Sequence, residues 1–256
     1  MPYHDKKKGD VNDGAKRLQS IGPPYGMKTT VAGWLQREGS TTVFGIPGEK
    51  HTGILDESET LRVVLPDRLN ISDQKTDYYG LWTELRMVTQ SHVGSKELKP
   101  TEPIVKHMVF DGAHKAYTLA KNAGVQKFTS AGKLDGFKAW EFANDEFLAW
   151  FQQGYYTPHI EWVIWLAWSA KEQVGEEGAK HKTIMPDYMG KMQQTIVGET
   201  NIILQKLEGG KPIWQLRQTE DAMGIGIRTA PEKAEKLPVR IPANWGELKK
   251  ILVGER

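Results

Sequence analysis

The chain has 256 residues, of which 39% are hydrophobic, enough for one large α/β domain or two small ones. It contains no cysteine, which excludes disulfides, thiolate metal sites and cysteine nucleophiles, and its net charge of +2 does not indicate nucleic acid. No apolar run approaches the roughly 20 residues that cross a bilayer, and residues 1–10 lack the apolar segment of a secretory signal. We therefore expect a cytoplasmic globular protein without a membrane partner.

Residues 1–13 are polar and charged, and their composition predicts a flexible N-terminal arm ahead of a single domain over residues 14–256. Residues 15–21 form a predicted strand that enters a turn rich in glycine and proline. The turn and the residues after it are Gly22, Pro23, Pro24, Tyr25, Gly26, Met27, Lys28, Thr29 and Thr30.

A strand, a glycine-bearing turn, a lysine, a hydroxyl and a helix start are, in this order, typical of a phosphate-binding loop. Unpaired amides at a helix start attract phosphate oxygens, Lys28 adds positive charge, and the Thr29 hydroxyl can reach Mg²⁺. The match to G-x-x-x-x-G-K-[ST] is imperfect, because Met27 stands where a glycine normally precedes the lysine and Gly26 lies one position early. The alternative interpretation is a surface turn before an ordinary helix.

The segments after the loop predict a βαβ unit. Residues 29–38 have the apolar spacing of a helix that ends at Gly39, and residues 41–46 predict a buried strand. Such a unit requires a parallel neighbouring strand, which is the context that a phosphate-binding loop needs. Glu49 follows the second strand, at the edge where ligands of open α/β sheets bind, although it also fits a simple loop carboxylate.

A second acidic residue, Asp111, ends the apolar segment 104–111. A strand that ends in aspartate downstream of a phosphate-binding loop predicts a carboxylate that holds a Mg²⁺-bound water. His114 lies in the helix predicted to begin at Gly112, where it either contacts nucleotide or is a packing histidine.

The remaining segments complete an α/β pattern. Residues 122–136 predict a mobile loop, and residues 137–153 predict an amphipathic helix with Phe137 and Trp140 on its buried side. Other predicted elements are a strand at 61–65, a helix at 77–88, a central strand at 162–168, a charged loop at about 170–183, a hairpin of 201–207 with 212–219, and a closing helix at 245–252.

The order of these pieces resembles the phage-encoded RecA-like P-loop NTPases, AAA-type ATP-binding proteins that include ATPases of single-strand annealing and recombination. The resemblance covers about residues 15–253 and implies a three-layer α/β fold with a mainly parallel central sheet and a C-terminal β-hairpin. The supporting segments are Gly22–Thr30, Met108–Asp111, Ser169–Glu172, Pro186–Lys191, Leu216–Thr219 and Ile241–Leu248.

The resemblance implies ATP and Mg²⁺ as cofactors, with Lys28 and Thr29 at the phosphates and Thr29 and Asp111 at the metal. It further implies that Glu49 polarises the attacking water and that Arg217 reaches a neighbouring subunit as an arginine finger. The loop at about 170–183 is expected to contact single-stranded DNA or another copy in a ring or filament.

Three positions depart from the family pattern, and the expected consequence is weak hydrolysis or binding without turnover. Met27 replaces a glycine, Trp168 stands where a polar residue usually ends the central strand, and Gly112 replaces a serine or threonine after the aspartate. The first hypothesis is therefore an ATP-hydrolysing protein of phage DNA recombination, repair or replication, in the host cytoplasm. The second is a non-hydrolysing scaffold that binds nucleotide or DNA. A small-molecule kinase is a third, but its arginine-rich lid is not evident in the sequence.

Overall fold

The computed structural model describes most of the chain with several gaps. The described residues are 16–23, 28–29, 32–33, 41–46, 62–64, 76–93, 106–153, 160–174, 181–188, 191–220, 222–227 and 231–253. The fold is α/β, with a mixed, mostly parallel central sheet flanked by helices, as the sequence predicts at that level. Within these residues no helix is both long enough and apolar enough to cross a membrane.

Six strands of the described residues form one continuous parallel part of the sheet. In spatial order they are β3 (Arg62–Val64), β2 (Thr41–Gly45), β4 (His107–Asp111), β7 (Trp162–Val174), β1 (Lys16–Gly22) and β9 (Asn201–Glu208). All five residues of β2 and of β4 are buried, as expected for parallel strands that are covered on both faces. β1 therefore lies in the interior of the sheet, with β7 on one side and β9 on the other.

Antiparallel strands extend this core. The hairpin predicted for residues 201–207 and 212–219 is present between β9 and β10 (Lys211–Gln215), which pair across the turn at Gly209 and Gly210, but residues 217–219 do not belong to it. β8 (His181–Pro186) pairs with the second half of β7. The remaining strands of the sheet are β11 (Arg217–Thr219), β12 (Ala222–Gly226) and β13 (Arg240–Pro242).

Helices cover both faces of the sheet. The described helices are α1 (Tyr78–Val93), α2 (Ala113–Lys127), α3 (Gly136–Phe151), α4 (Lys191–Glu199), α5 (Pro231–Ala234) and α6 (Trp245–Val253). One buried cluster packs Phe110 and Trp165 of the sheet against Trp150 of α3. On the other face Trp162 packs against Trp245 of α6, with ring centroids 5.2 Å apart.

Two predicted loops are wrong over the residues that the structure describes, which leave out 175–180. Residues 122–136 are not a loop, because α2 continues to Lys127 and a small hairpin of β5 (Thr129–Ser130) and β6 (Lys133–Leu134) follows. Residues 170–174 and 181–183 belong to β7 and β8, whose antiparallel pairing continues the central strand beyond its predicted end. Both segments are rich in charged residues and glycines, a composition that is typical of loops but does not exclude regular structure.

The buried side predicted for the helix at 137–153 is only partly correct. Ala143, Phe147 and Phe151 are buried, but Phe137 and Trp140 are 77% and 43% exposed. The apolar face of α3 therefore continues beyond the part of the helix that the domain covers.

Candidate nucleotide-binding site

The carboxyl ends of three parallel strands bring the predicted site residues together. Gly22 ends β1 and pairs in register with Trp168, while Asp111 ends β4 and pairs with Leu166, two residues earlier on β7. Gly45 ends β2 opposite Asp111. Only β7 therefore separates the start of the loop after β1 from Asp111, and both lie at the edge where open α/β sheets bind ligands.

Gly22 fills a position that has no room for a side chain. A Cβ atom there would lie 2.4 Å from the backbone carbonyl oxygen of Gln205 in β9. Real Cβ atoms do not approach a backbone oxygen so closely, so any larger residue would push β1 and β9 apart. The first glycine of the loop is required by strand packing as well as by the turn that follows it.

Lys28 is folded back onto the start of the loop. Its Nζ atom donates hydrogen bonds to the carbonyl oxygens of Gly22, at 3.2 Å, and Pro23, at 2.8 Å. The side chain is only 7% exposed, and Lys28 and Thr29 both have helical backbone. The buried ammonium therefore lies at the start of the turn that the sequence predicts to bind phosphate, and this role stays a prediction.

Thr29 and Asp111 are in direct contact although 82 residues separate them. The Thr29 hydroxyl donates a hydrogen bond to Asp111 Oδ2 at 3.0 Å, and Asp111 is 6% exposed. A hydroxyl that donates its proton to a carboxylate keeps its lone pairs for a cation, and the carboxylate keeps further lone pairs for a metal-bound water. This donor set therefore fits Mg²⁺.

The number of protein donors agrees with that fit. Within the described ranges no three histidine or acidic side chains cluster as a metal cage would require. Mg²⁺ is usually held by one or two protein ligands together with waters and substrate phosphates. Thr29 and Asp111 would hold it in this way.

His114 lies beside this edge, in the first turn of α2. Its ring stacks on Trp168, with centroids 4.7 Å apart, and its Nδ1 accepts a hydrogen bond from the Trp168 backbone N–H at 3.4 Å. A neutral imidazole that accepts at Nδ1 carries its proton on Nε2. Burial is the main cause that lowers the pKa of His114 to about 4. The positive charges of Lys115 and Lys28 also lower it, and the negative charge of Asp111 opposes them by raising it.

We expect the buried neutral state of His114 to make stability depend on pH. Because the folded pKa of about 4 lies below the ordinary value of 6.5, the unfolded chain binds more protons between these values, and stability falls as pH decreases through them. The free energy of unfolding should drop by about 2 kcal/mol between pH 7 and pH 5 from this residue alone.

The measurement is urea denaturation of wild type and of His114→Phe, which keeps a ring to stack on Trp168. The variant should lose that part of the pH dependence, while groups common to both proteins cancel in the comparison. Parallel stability curves for the two proteins would contradict a neutral buried His114.

Gly112 connects Asp111 to α2 in a left-handed conformation. Its φ is 90° and its ψ is 31°, and its backbone N–H donates to the Leu166 carbonyl at 3.1 Å. The resemblance implies serine or threonine at this position, where any side chain would be strained in the observed conformation.

Replacing Gly112 with alanine should therefore lower the free energy of unfolding by about 1–2 kcal/mol. Gly198→Ala in α4 is the matched control, because that glycine is helical and exposed and a Cβ there meets no atom within 4 Å. The control should be neutral or stabilising by up to about 1 kcal/mol. Chemical denaturation of both variants checks the pair; equal effects would contradict the strained turn.

Arg217 lies in β11, which pairs with β12, and its side chain contacts a later segment of the same chain. Its Nη1 donates to the carbonyl oxygens of Glu235 and Leu237, both at 3.1 Å. The structure thus assigns Arg217 an anchoring contact, and its action across a subunit interface stays a prediction. Pro24, Tyr25, Gly26, Met27, Thr30 and Glu49 lie outside the described residues.

Two features of the site could hardly be predicted from the sequence. The Gln205 carbonyl behind Gly22 comes from a strand 183 positions away, and no motif marks a backbone atom. The stacking of His114 on Trp168 joins a helix start to a strand end. Its one clue is that His114 lies on the first helical turn after Asp111.

Comparison with known proteins does not assign the chain to a family. No protein-family model matches the chain, and no curated protein matches it.

Proposed function

We propose that the protein binds ATP with Mg²⁺ and hydrolyses it, and that it is a RecA-like P-loop NTPase. The observation that carries the proposal is the 3.0 Å hydrogen bond from Thr29 to Asp111 beside Lys28. A hydroxyl directly after a loop lysine that meets an aspartate at the end of another parallel strand is the arrangement that nucleotide-bound Mg²⁺ needs.

The chain's own residues would act mainly by positioning and by charge. The amides at the helix start and the Lys28 ammonium would bind the phosphates and stabilise negative charge that develops during in-line attack by water. Thr29 and Asp111 would hold Mg²⁺, which supplies neutralisation of the β- and γ-phosphate charge when bound. Glu49 is the proposed residue that orients the attacking water.

The strand order supports a RecA-like arrangement by analogy. β7 lies between the loop strand β1 and the aspartate strand β4, so the central strand that the resemblance implies is next to both. Its end, Trp168, is beside Gly22 and contacts His114. Fold-level analogy raises the expectation of NTPase chemistry, whereas the Thr29 to Asp111 contact provides the site-level support.

The second candidate is a protein that binds nucleotide without turnover. Met27 in place of the loop glycine favours it, because a side chain there crowds the amide that faces the β-phosphate. The contact of Lys28 with two loop carbonyls is compatible with both candidates, since nucleotide must replace these bonds in either case.

The test is phosphate release from ATP by the purified protein, with and without Mg²⁺ and single-stranded DNA. Release that needs Mg²⁺ supports hydrolysis. Tight binding of ATP without release would support the non-hydrolysing candidate, and failure to bind ATP or ADP at all would overturn both.

For partners, we propose single-stranded DNA and further copies of the same chain in a ring or filament. Arg217 would have to exchange its carbonyl contacts or use its other N–H groups to reach a neighbouring ATP. Analytical ultracentrifugation with and without an ATP analogue tests assembly; a monomer under every condition would exclude a finger supplied by another subunit.

A further inference from the structure

The hairpin formed by α2 and α3 ends in a segment that stands apart from the main sheet. β5 and β6 pair with each other in a separate two-stranded sheet, and all of residues 129–138 are exposed. The 15 residues of α2 span about 22 Å from their start beside Asp111. We call residues 121–141 the helical tip.

The helical tip presents large apolar side chains to solvent. Phe137 is 77% exposed, Leu134 is 50% exposed and Trp140 is 43% exposed, three of the large hydrophobic residues exposed in the described ranges. Phe137 and Trp140 are three positions apart on α3, so their rings lie on the same side of the helix. Several large exposed apolar side chains within one short segment are typical of an interaction site.

Lysines accompany these rings. Lys121 Nζ lies 5.7 Å from the centroid of the Trp140 ring, and Lys133 and Lys138 are exposed. The segment 121–141 has four lysines and two acidic residues. Asp135 and Lys138 pair with each other, because the Asp135 carboxylate accepts the Lys138 backbone N–H at 3.1 Å and lies 3.2 Å from Lys138 Nζ. Three lysines and one acidic residue of the segment remain outside this pair.

The combination of aromatic rings and lysines indicates which kind of partner the helical tip would bind. The core of a protein–protein interface is depleted of lysine, and a symmetric contact between two copies would bring the same lysines together. Single-stranded nucleic acid offers phosphates to lysines and unpaired base faces to aromatic rings. Charge complementarity therefore favours a polyanion with stacking groups over a second copy.

We propose that the helical tip is a binding surface for single-stranded nucleic acid, with bases stacked on Phe137 and Trp140 and phosphates near Lys121 and Lys133. The proposal specifies a partner surface for the DNA-directed part of the proposed function and is independent of ATP hydrolysis. It places nucleic acid near the C-terminal end of α2, whereas Asp111 lies next to the first residue of that helix.

The experiment is fluorescence anisotropy of a labelled oligothymidylate of about 20 nucleotides, titrated with the full-length protein at several salt concentrations. Phe137→Ala combined with Trp140→Ala should weaken binding at least about tenfold, because each stacked base contributes about 1–3 kcal/mol. Met87→Ala is the matched control, since Met87 is 66% exposed on α1 outside the helical tip, and it should change binding less than about twofold.

A charge variant gives an independent test that does not depend on the rings. Lys133→Gln should reduce the slope of log affinity against log salt by about 0.7, the value for one phosphate contact on a single strand. Trp140→Phe should keep most of the affinity, because a ring remains for stacking. An unchanged salt slope in Lys133→Gln would contradict a phosphate contact at this lysine.

Other outcomes would overturn the proposal. These are absence of oligothymidylate binding by the wild type, equal binding by the double variant, or a loss of self-association in the double variant with DNA binding intact. Binding of a fluorescent ATP analogue to the same proteins separates this surface from the nucleotide site. DNA binding that depends on the helical tip in a protein that does not bind ATP would overturn the proposed function and leave this inference standing.

Discussion

Replacing Lys28 with alanine is expected to lower kcat/KM for ATP at least about 100-fold, a loss of about 3 kcal/mol of transition-state stabilisation. The ammonium is buried and held at the first residues of the loop, so its charge acts where water is largely excluded. No neighbouring side chain in the loop sequence from Gly22 to Thr30 carries a positive charge that would replace it. The measurement is steady-state phosphate release.

Lys16→Ala is the matched control for this variant. Lys16 lies at the opposite end of the same strand, is exposed and sits over the Trp162 ring at 5.2 Å. Its loss should change kcat/KM less than about twofold, because exposed side chains far from a site contribute little to it. Thermal unfolding of both variants separates a catalytic loss from the lost hydrogen bonds to Gly22 and Pro23. Equal ATPase rates in Lys28→Ala and wild type would exclude this loop as the phosphate site.

Asp111→Asn should abolish Mg²⁺-dependent hydrolysis, with a fall of at least about 100-fold in kcat, while ATP binding is retained. Asparagine has nearly the same shape, and its amide oxygen can still accept the hydrogen bond that Thr29 donates to Oδ2. The substitution therefore removes the charge and preserves the packing of this buried position. Single-turnover hydrolysis across a Mg²⁺ titration measures the effect.

Thr29→Ser provides the control, because serine keeps the hydroxyl that bridges to Asp111 and should retain most of the activity. Thr29→Val removes the hydroxyl at similar volume and should resemble Asp111→Asn. An Asp111→Asn protein that hydrolyses ATP at the wild-type rate with normal Mg²⁺ dependence would show that Asp111 only supports the structure.

The proximity of Thr29 to Asp111 was predictable from the sequence, because each residue stands in a recognisable local motif. Lys28 and Thr29 follow a glycine-containing turn, and Asp111 ends an apolar strand. The fold level was also predictable, since buried strands alternate with helical patterns and require parallel neighbours. The pairing of Asp111 with the strand next to β1 then follows from the register of the sheet.

The features that escaped prediction depend on packing between distant segments. Periodicity correctly gives α3 an apolar face, but it carries no information on how far the body of the domain reaches along that face. Phe137 and Trp140 are therefore exposed against expectation. The conformation of Gly112 and the contact of Arg217 with two carbonyl oxygens likewise require the tertiary structure.

The close approach of Gly22 to Gln205 has a consequence for how the chain can be divided. The residues of the predicted phosphate-binding loop and Asp111 all precede residue 112. The strand that packs against Gly22, β9, begins only at Asn201. A fragment that ends before Asn201 would retain the loop sequence and Asp111 but leave one edge of β1 exposed and unpaired. The nucleotide binding that we propose would therefore depend on both halves of the chain, and we expect it to be regained when the separately expressed halves are mixed and associate.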